Sequence, residues 1–325
     1  MLSGCGPSAP WRQESFVFGT RVELLIAGVP ETKALAAGSQ VLAEFDRLHR
    51  TYHAWQPSAL SALNAAIAAG KLMEVSLEFA GYIRQLQQLA ADSNYLFDPG
   101  IGRLIALWGF HSDEFKARLP DETALAALTK QRPSIADIQL DGLRVTSRNP
   151  AVALDFGGYL KGVALDRAAQ ILRTAGIHNA LINIGGNVMA LGTKNGVPWR
   201  VGIQHPRPAT VGGAPLASLE LRDGEALGTS GDYYRFFEIN GRRYCHLLDP
   251  RTGYPAMGTQ SVTILIPPGV TAGMRSDVLS KPLFVAGDAW LRQASKLNVI
   301  AALKVGAGGT VIATPAMRSR LKMMP

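Results

Sequence analysis

The sequence predicts an α+β fold of mixed sheets flanked by helices, arranged as two interlocked lobes. Three observations carry this. Strand-like runs such as ALINIGG at 180–186 and TQSVTILIP at 259–267 stand beside stretches with apolar residues at helical spacing. The 34 glycines and 19 prolines mark many turns and disfavour an all-helical bundle. The 325 residues contain no long linker, low-complexity tract or repeat. That length is ample for a core, and the division adopted is a flexible segment at 1–14 followed by one domain at 15–325.

The elements follow in order. Residues 15–27 read as a strand with a turn at Gly19. Leu35, Val41, Leu42, Phe45 and Leu48 give residues 31–52 a helical period. PSALSALN at 57–64 reads as a short helix or turn, and residues 76–92 as an amphipathic helix capped by Ser76. FDPGIGRLIALWGFH at 97–111 is glycine-rich yet apolar, and the lobes are expected to meet near residues 95–110; residues 112–135 read as a polar helical insertion. AVALDF at 151–156 reads as a strand ending in Gly157-Gly158, before a helix that presents Leu160, Ala164, Ala168, Ile171 and Leu172. With the strand at 180–186 this makes a strand–helix–strand unit. Asn195-Gly196 and Asn240-Gly241 are hairpin turn signals, a helix is expected at 276–296, and a hairpin near Gly306–Gly309.

Composition narrows the function class. With 47% apolar and 18% charged residues the chain is a folded globular protein. No apolar run approaches the roughly 18 residues of a spanning helix. The 33 basic against 25 acidic residues give a net charge of +8 and a pI near 9.6. Such a balance suits nucleic acid, an anionic membrane or an anionic small ligand. The basic residues are dispersed, densest in RSRLKMMP at 318–325, and no RNA-binding or zinc-finger pattern occurs, which argues against nucleic acid. Two cysteines, Cys5 and Cys245, exclude a disulfide framework and a thiolate zinc site. Leu2-Ser3-Gly4-Cys5 reads as the end of a lipoprotein signal without its charged and hydrophobic parts. On that reading the protein is periplasmic and held to the membrane by a lipid on Cys5; the other reading is a frayed terminus with an incidental thiol.

Several stretches carry chemistry. In DFGGYLKG at 155–162, glycines precede a helix, so backbone N–H groups can approach an anion, with Lys161 in the first turn; an ordinary strand–helix turn is the plainer reading. In HLLDPRTGYP at 246–255, Asp249-Pro250 and Thr252-Gly253 build a turn. His246 beside it is either structural or a general base. Thr229, Ser230 and Gly231 form either an anion-accepting nest or a loop, with Asp232 as its cap. Asp277 follows a strand and opens a helix, and Lys281 lies one turn later; the pair is either a surface ion pair or includes a carboxylate ligand for a hard cation.

Taken together, FDPGIGRLIALWGF at 97–110, LDFGGYLKGVALD at 154–166, INIGGNV at 182–188, TSGDYYRFFE at 229–238, HLLDPRTGYP at 246–255 and SDVLS at 276–280 resemble the ApbE family of flavin transferases. FGT at 18–20 and PSALSALN resemble the family's opening. The resemblance implies a nucleotide site between the lobes. It implies cleavage of FAD and transfer of FMN to a threonine of a target protein, often a membrane redox subunit, with release of AMP and with Mg2+ neutralising the pyrophosphate. Some relatives hydrolyse FAD to FMN and AMP. By resemblance Asp155 and Lys161 bind the flavin nucleotide, Trp108, Gly109 and Phe110 line it, Tyr52 is an aromatic neighbour, and Leu247 and Leu248 pack the adenine end. His246 and Asp249 lie in the catalytic turn, with His246 the general base and Asp277 the alternative. The Gly158 carbonyl and Asp277 hold the metal.

The chain departs from the family pattern at the remaining metal ligand. Lys281 stands where the family has threonine, and a protonated ammonium offers no lone pair. Pro282 follows and is expected to shift the helix start, and Phe18 replaces a common methionine. Two outcomes remain open: a transferase in which Lys281 supplies part of the metal's charge or the metal uses other ligands, or an FAD-binding protein with weak or lost transfer.

Overall fold

The computed structural model describes residues 9–112, 116–208 and 212–323. Its centre is an eight-stranded sheet whose spatial order is chain order: Trp11–Val17, Thr20–Ile26, Ala180–Ile184, Asn187–Leu191, Ala226–Gly231, Thr259–Ile266, Ala301–Gly306 and Val311–Ala313. Each strand is antiparallel to the next. The other elements are insertions between these strands, apart from the helical turn Pro315–Arg318 and the strand Leu321–Met323, which follow the last of them. The largest insertion carries the helices Glu31–Thr51, Ala59–Ala68, Leu77–Asp92, Gly102–Leu107, Glu122–Gln131 and Leu160–Thr174. A later one carries Ala272–Val285 and Trp290–Lys296.

Both sheet faces are covered, so burial along its central strands is nearly continuous rather than alternating. Thr259–Ile266 is buried along its whole length. Leu24, Ile182, Met189, Val262 and Ile264 belong to the core shared with the helices Glu31–Thr51, Leu160–Thr174 and Ala272–Val285. Val188, Ala190, Leu227, Leu265 and Leu303 belong to the other, shared with the small sheet of Trp199–Ile203, Ala217–Leu221 and Leu321–Met323. A third cluster gathers Ile101, Leu104, Trp108 and Phe110 beneath Phe237 and Tyr244 of the hairpin Phe236–Ile239/Arg242–Cys245. The chain crosses from the main core at Phe97 to this cluster at Ile101, in the stretch expected to join two lobes.

Local signals set several boundaries. Ser58 and Ser76 cap their helices by accepting from Ser61 N–H and Phe79 N–H. Asn240 and Gly241, at φ 51° and 72°, supply the left-handed pair that a tight hairpin needs. Four expectations need correction. Residues 15–27 lie within a hairpin of two strands, turned at Phe18 and Gly19. AVALDF is not a strand; it makes only a parallel bridge from Ala153 to Ile101. The Asn64 side chain takes both backbone groups of Leu154 instead, at 2.7 and 2.9 Å. The unit around it is therefore not a strand–helix–strand crossover. The stretch 228–231 is sheet rather than loop, with Asp232 paired to Arg207 at 2.6 Å. Finally, residues 276–296 form two helices separated near Gly287, and the first begins at Ala272, with Pro282 inside it. Asp166 sets that start from another helix: its carboxylate accepts from Gly273 and Met274 N–H at 2.7 and 2.9 Å.

Three glycines let this helix lie against its neighbours. A Cβ on Gly162 would stand 2.5 Å from the Gly273 carbonyl oxygen, and one on Gly273 would stand 2.6 Å from the Gly162 carbonyl oxygen. A Cβ on Gly228 of the sheet would stand 2.0 Å from the Ser276 carbonyl oxygen. All three obstacles are backbone, which cannot rotate away. Gly162→Ala and Gly228→Ala should each cost about 1–3 kcal/mol in urea unfolding. Gly81→Ala, on an exposed helix face with nothing near the added methyl, should be neutral or gain about 0.5–1 kcal/mol. Equal effects at all three positions would contradict this packing.

Candidate active site

The helix contact places the Asp277 carboxylate against the first turn of the helix Leu160–Thr174. Asp277 is 1% exposed, and its Oδ2 accepts the Gly162 N–H at 3.1 Å. Its Oδ1 lies 2.6 Å from Lys281 Nζ and 3.9 Å from Lys161 Nζ. Lys281 also donates to the Asp277 carbonyl at 2.7 Å, and Lys161 to the Gly157 carbonyl at 3.2 Å. Burial alone would raise the Asp277 pKa. Lys161, then Lys281, and a hydrogen bond from Asn187 outweigh it and hold the carboxyl at about 2. Lys281 is itself lowered by burial, against the attraction of Asp277. Behind the pair, Ser280 joins Ser230 of the sheet at 2.8 Å and the Asp277 carbonyl at 2.9 Å.

Asp155 shapes the approach. Its Oδ1 accepts Gly157 N–H at 2.7 Å, turning the chain into the helix and leaving Gly157 exposed. Gly158 faces the lysine stem: a Cβ there would lie 2.7 Å from Lys281 Cε. His246 is the other ionisable group of the site. Its Nδ1 lies 3.2 Å from the Arg235 carbonyl, and its ring meets Phe110 edge-on at 6.4 Å. Burial, then the charges of Arg235, Lys161 and Lys281, push its pKa to about 3. The imidazole is thus neutral, and its contact with a carbonyl makes Nδ1 the protonated nitrogen and leaves a lone pair on Nε2. The structure therefore brings Lys161, His246, Asp277 and Lys281 into one electrostatic cluster beside Asp155 and Gly158.

Other expected site residues lie apart from it or are otherwise engaged. Tyr52 is 2% exposed in the core, among Phe79, Tyr82 and Phe156, and donates to Glu78 at 2.8 Å. Trp108 stacks on Tyr244 and donates to the Gly253 carbonyl at 2.7 Å. Phe110, Leu247 and Leu248 are buried packing, whereas a Cβ at Gly109 would meet open space. Asp249 organises its own turn, accepting Arg251 N–H at 2.9 Å and pairing with the Arg251 guanidinium at 2.7 Å. Its carboxylate is engaged within that turn. Asn187, Ser280 and Arg235 belong to the site without having been singled out. Asn187 sits in INIGGNV and Ser280 in SDVLS, but nothing in either stretch says which side chain faces Asp277.

The residues present do not fit the expected Mg2+ site at Gly158, Asp277 and Lys281. A magnesium ion needs anionic or neutral oxygen donors. Among the described residues no three His, Cys, Asp or Glu side chains gather to hold a metal. The buried carboxylate carries an ammonium group 2.6 Å away, and that group has no lone pair to offer. Lys281 is therefore no metal ligand.

His246 also affects stability. Its folded pKa lies below the unfolded value near 6.5, so the unfolded chain binds the proton first. Stability from this residue is present above pH 6.5 and is lost as pH falls towards 3. Asp166, raised to about 7 by burial, acts oppositely over part of that range. The difference between wild type and His246→Gln isolates the histidine. Urea unfolding between pH 6.5 and 4.5 should show wild type losing about 1–3 kcal/mol more than the variant. Parallel pH profiles would contradict a neutral, half-buried imidazole.

Comparison with known proteins places the chain in a family. A family model described as "ApbE family" matches residues 18–303. A FAD:protein FMN transferase of Rhodobacter capsulatus is 42% identical over 316 residues, covering 97% of this chain and 59% of that protein. One from Klebsiella pneumoniae is 29% identical, covering 99% of this chain and 94% of that protein. Among solved structures, the ApbE protein of Thermotoga maritima superposes with a TM-score of 0.85 at 29% identity, covering 96% of this chain and 99% of that one. The apo Pseudomonas stutzeri flavinyl transferase ApbE gives 0.82 at 27% identity, covering 97% of this chain and 98% of that one. The chain is a member of the ApbE family.

Proposed function

We propose that this protein transfers FMN from FAD to a threonine hydroxyl of an acceptor protein and releases AMP. The observation that supports this best is the neutral His246 beside two ammonium groups, Lys161 and Lys281, at a helix start opened by Gly157. Pyrophosphate is an anion, and a helix N-terminus with adjacent lysines suits it. The threonine oxygen forms a bond to the phosphorus of the FMN half while the bond from that phosphorus to AMP breaks. The hydroxyl proton goes to His246 Nε2. Lys161 and Lys281 offset the charge on the phosphate oxygens. Burial, then the charges of Arg235 and of these lysines, hold the imidazole pKa low, so an anionic substrate beside the lysines offsets part of that depression and raises it towards the range useful for a base.

The fit of Asp277 with lysine leaves no step that depends on Mg2+. A membrane redox subunit is the acceptor class in this reading, and the location is periplasmic. The lipid expected on Cys5 concerns a residue outside those described. With water in place of threonine, the same cluster would release free FMN and AMP.

Incubation with FAD and a threonine-bearing acceptor domain should yield AMP and protein-bound FMN in equal amounts. Replacing the acceptor threonine by alanine should abolish the bound FMN. His246→Gln should slow transfer by about 10²–10⁴-fold with little change in FAD affinity. AMP with only free FMN would make the protein a pyrophosphatase, and tight FAD without AMP would make it a flavin carrier.

A further inference from the structure

We propose that Lys281 is a built-in replacement for a divalent cation, so that this protein holds FAD without one. The inference rests on the proposed FAD site and deepens it.

Three features carry it. First, the Lys281 ammonium is seated rather than loosely placed. It contacts both the carboxylate and the carbonyl of Asp277, at 2.6 and 2.7 Å, and its side chain is only 15% exposed. Second, the surroundings make room for this stem. Gly158 would collide with Lys281 Cε and Cδ, at 2.7 and 3.1 Å, if it carried a Cβ. Third, the local charge is already positive. At Asp277 one carboxylate faces two ammonium groups, −1 against +2, and the neighbouring His246 is neutral. Adding a divalent ion would bring these groups to +3 net, and among the described residues no three His, Cys, Asp or Glu side chains gather to hold it. The same excess of +1 suits the phosphate oxygens of a dinucleotide. Lys161 and Lys281 remain partly exposed, at 24% and 15%, so both can reach a ligand entering over Gly157.

The test is equilibrium FAD binding, followed by flavin fluorescence in EDTA and in millimolar Mg2+. Wild type should bind FAD equally in both. Lys281→Thr removes the fixed charge and adds an oxygen beside Asp277; its affinity in EDTA should fall by about tenfold and recover with Mg2+. Lys281→Met, which keeps the length but not the charge, should lose affinity in both conditions. Thermal melts of each variant establish that it is folded. Wild-type affinity that rises about tenfold with Mg2+ would overturn the inference and leave the proposed function standing. Affinity in EDTA unchanged by either substitution would do the same. Absence of saturable FAD binding in both conditions would overturn the proposed function and this inference together.

Discussion

The site depends on one contact: the helices Leu160–Thr174 and Ala272–Val285 touch backbone to backbone at Gly162 and Gly273. Any side chain at either position would part them. The contact lets a carboxylate of the second helix reach an N–H in the first turn of the other, as Asp277 does with Gly162. It also brings Gly273 and Met274 N–H to Asp166, so each helix supplies a carboxylate to the start of its neighbour. Helix starts concentrate unsatisfied donors and partial positive charge, and these two are satisfied reciprocally. The sheet completes the seat. Gly228 admits the second helix, and Ser230 bonds to Ser280 from below.

Once Asp277 is buried there, the remaining electrostatics follow. A lone buried carboxylate would be protonated or expelled. Here Lys281 and Lys161 keep it ionised, and burial of such a pair is a cost that hydrophobic residues would not carry. The arrangement makes better sense as a ligand device than as a stabiliser. Burial, then Arg235 and the two lysines, keep His246 unprotonated, so the proposed base and the proposed anion site share part of their electrostatics.

What the residues reveal locally and what they do not is seen in particular elements. The helix from Ser76 was legible because its cap and its apolar period agree, and the hairpin at Asn240-Gly241 because its turn needs those two residues. AVALDF has the composition of a strand, yet Asn64, 90 residues away, takes both backbone groups of Leu154, and Ala153 and Asp155 bond to residues 99–102. The start of the helix Ala272–Val285 depends on Asp166, which no local pattern links to it. The family motifs located Asp155, Lys161, His246 and Asp277 by type, and the structure assembles these. Tyr52 and Trp108 sit in equally suggestive stretches, but an aromatic ring packs as readily into a core as against a ligand, and here both are buried. That Lys281 would turn onto Asp277, against Gly158, is a tertiary fact that i,i+4 spacing only permits.

The most direct measurement is a crystal structure of the protein with FAD, grown in EDTA. The pyrophosphate should lie over Gly157, within hydrogen-bond reach of both the Lys161 and Lys281 ammonium groups, with His246 Nε2 facing the phosphorus of the FMN half. A pyrophosphate bound away from both lysines, or a Lys281 side chain swung off Asp277 to admit a metal ion, would contradict this arrangement.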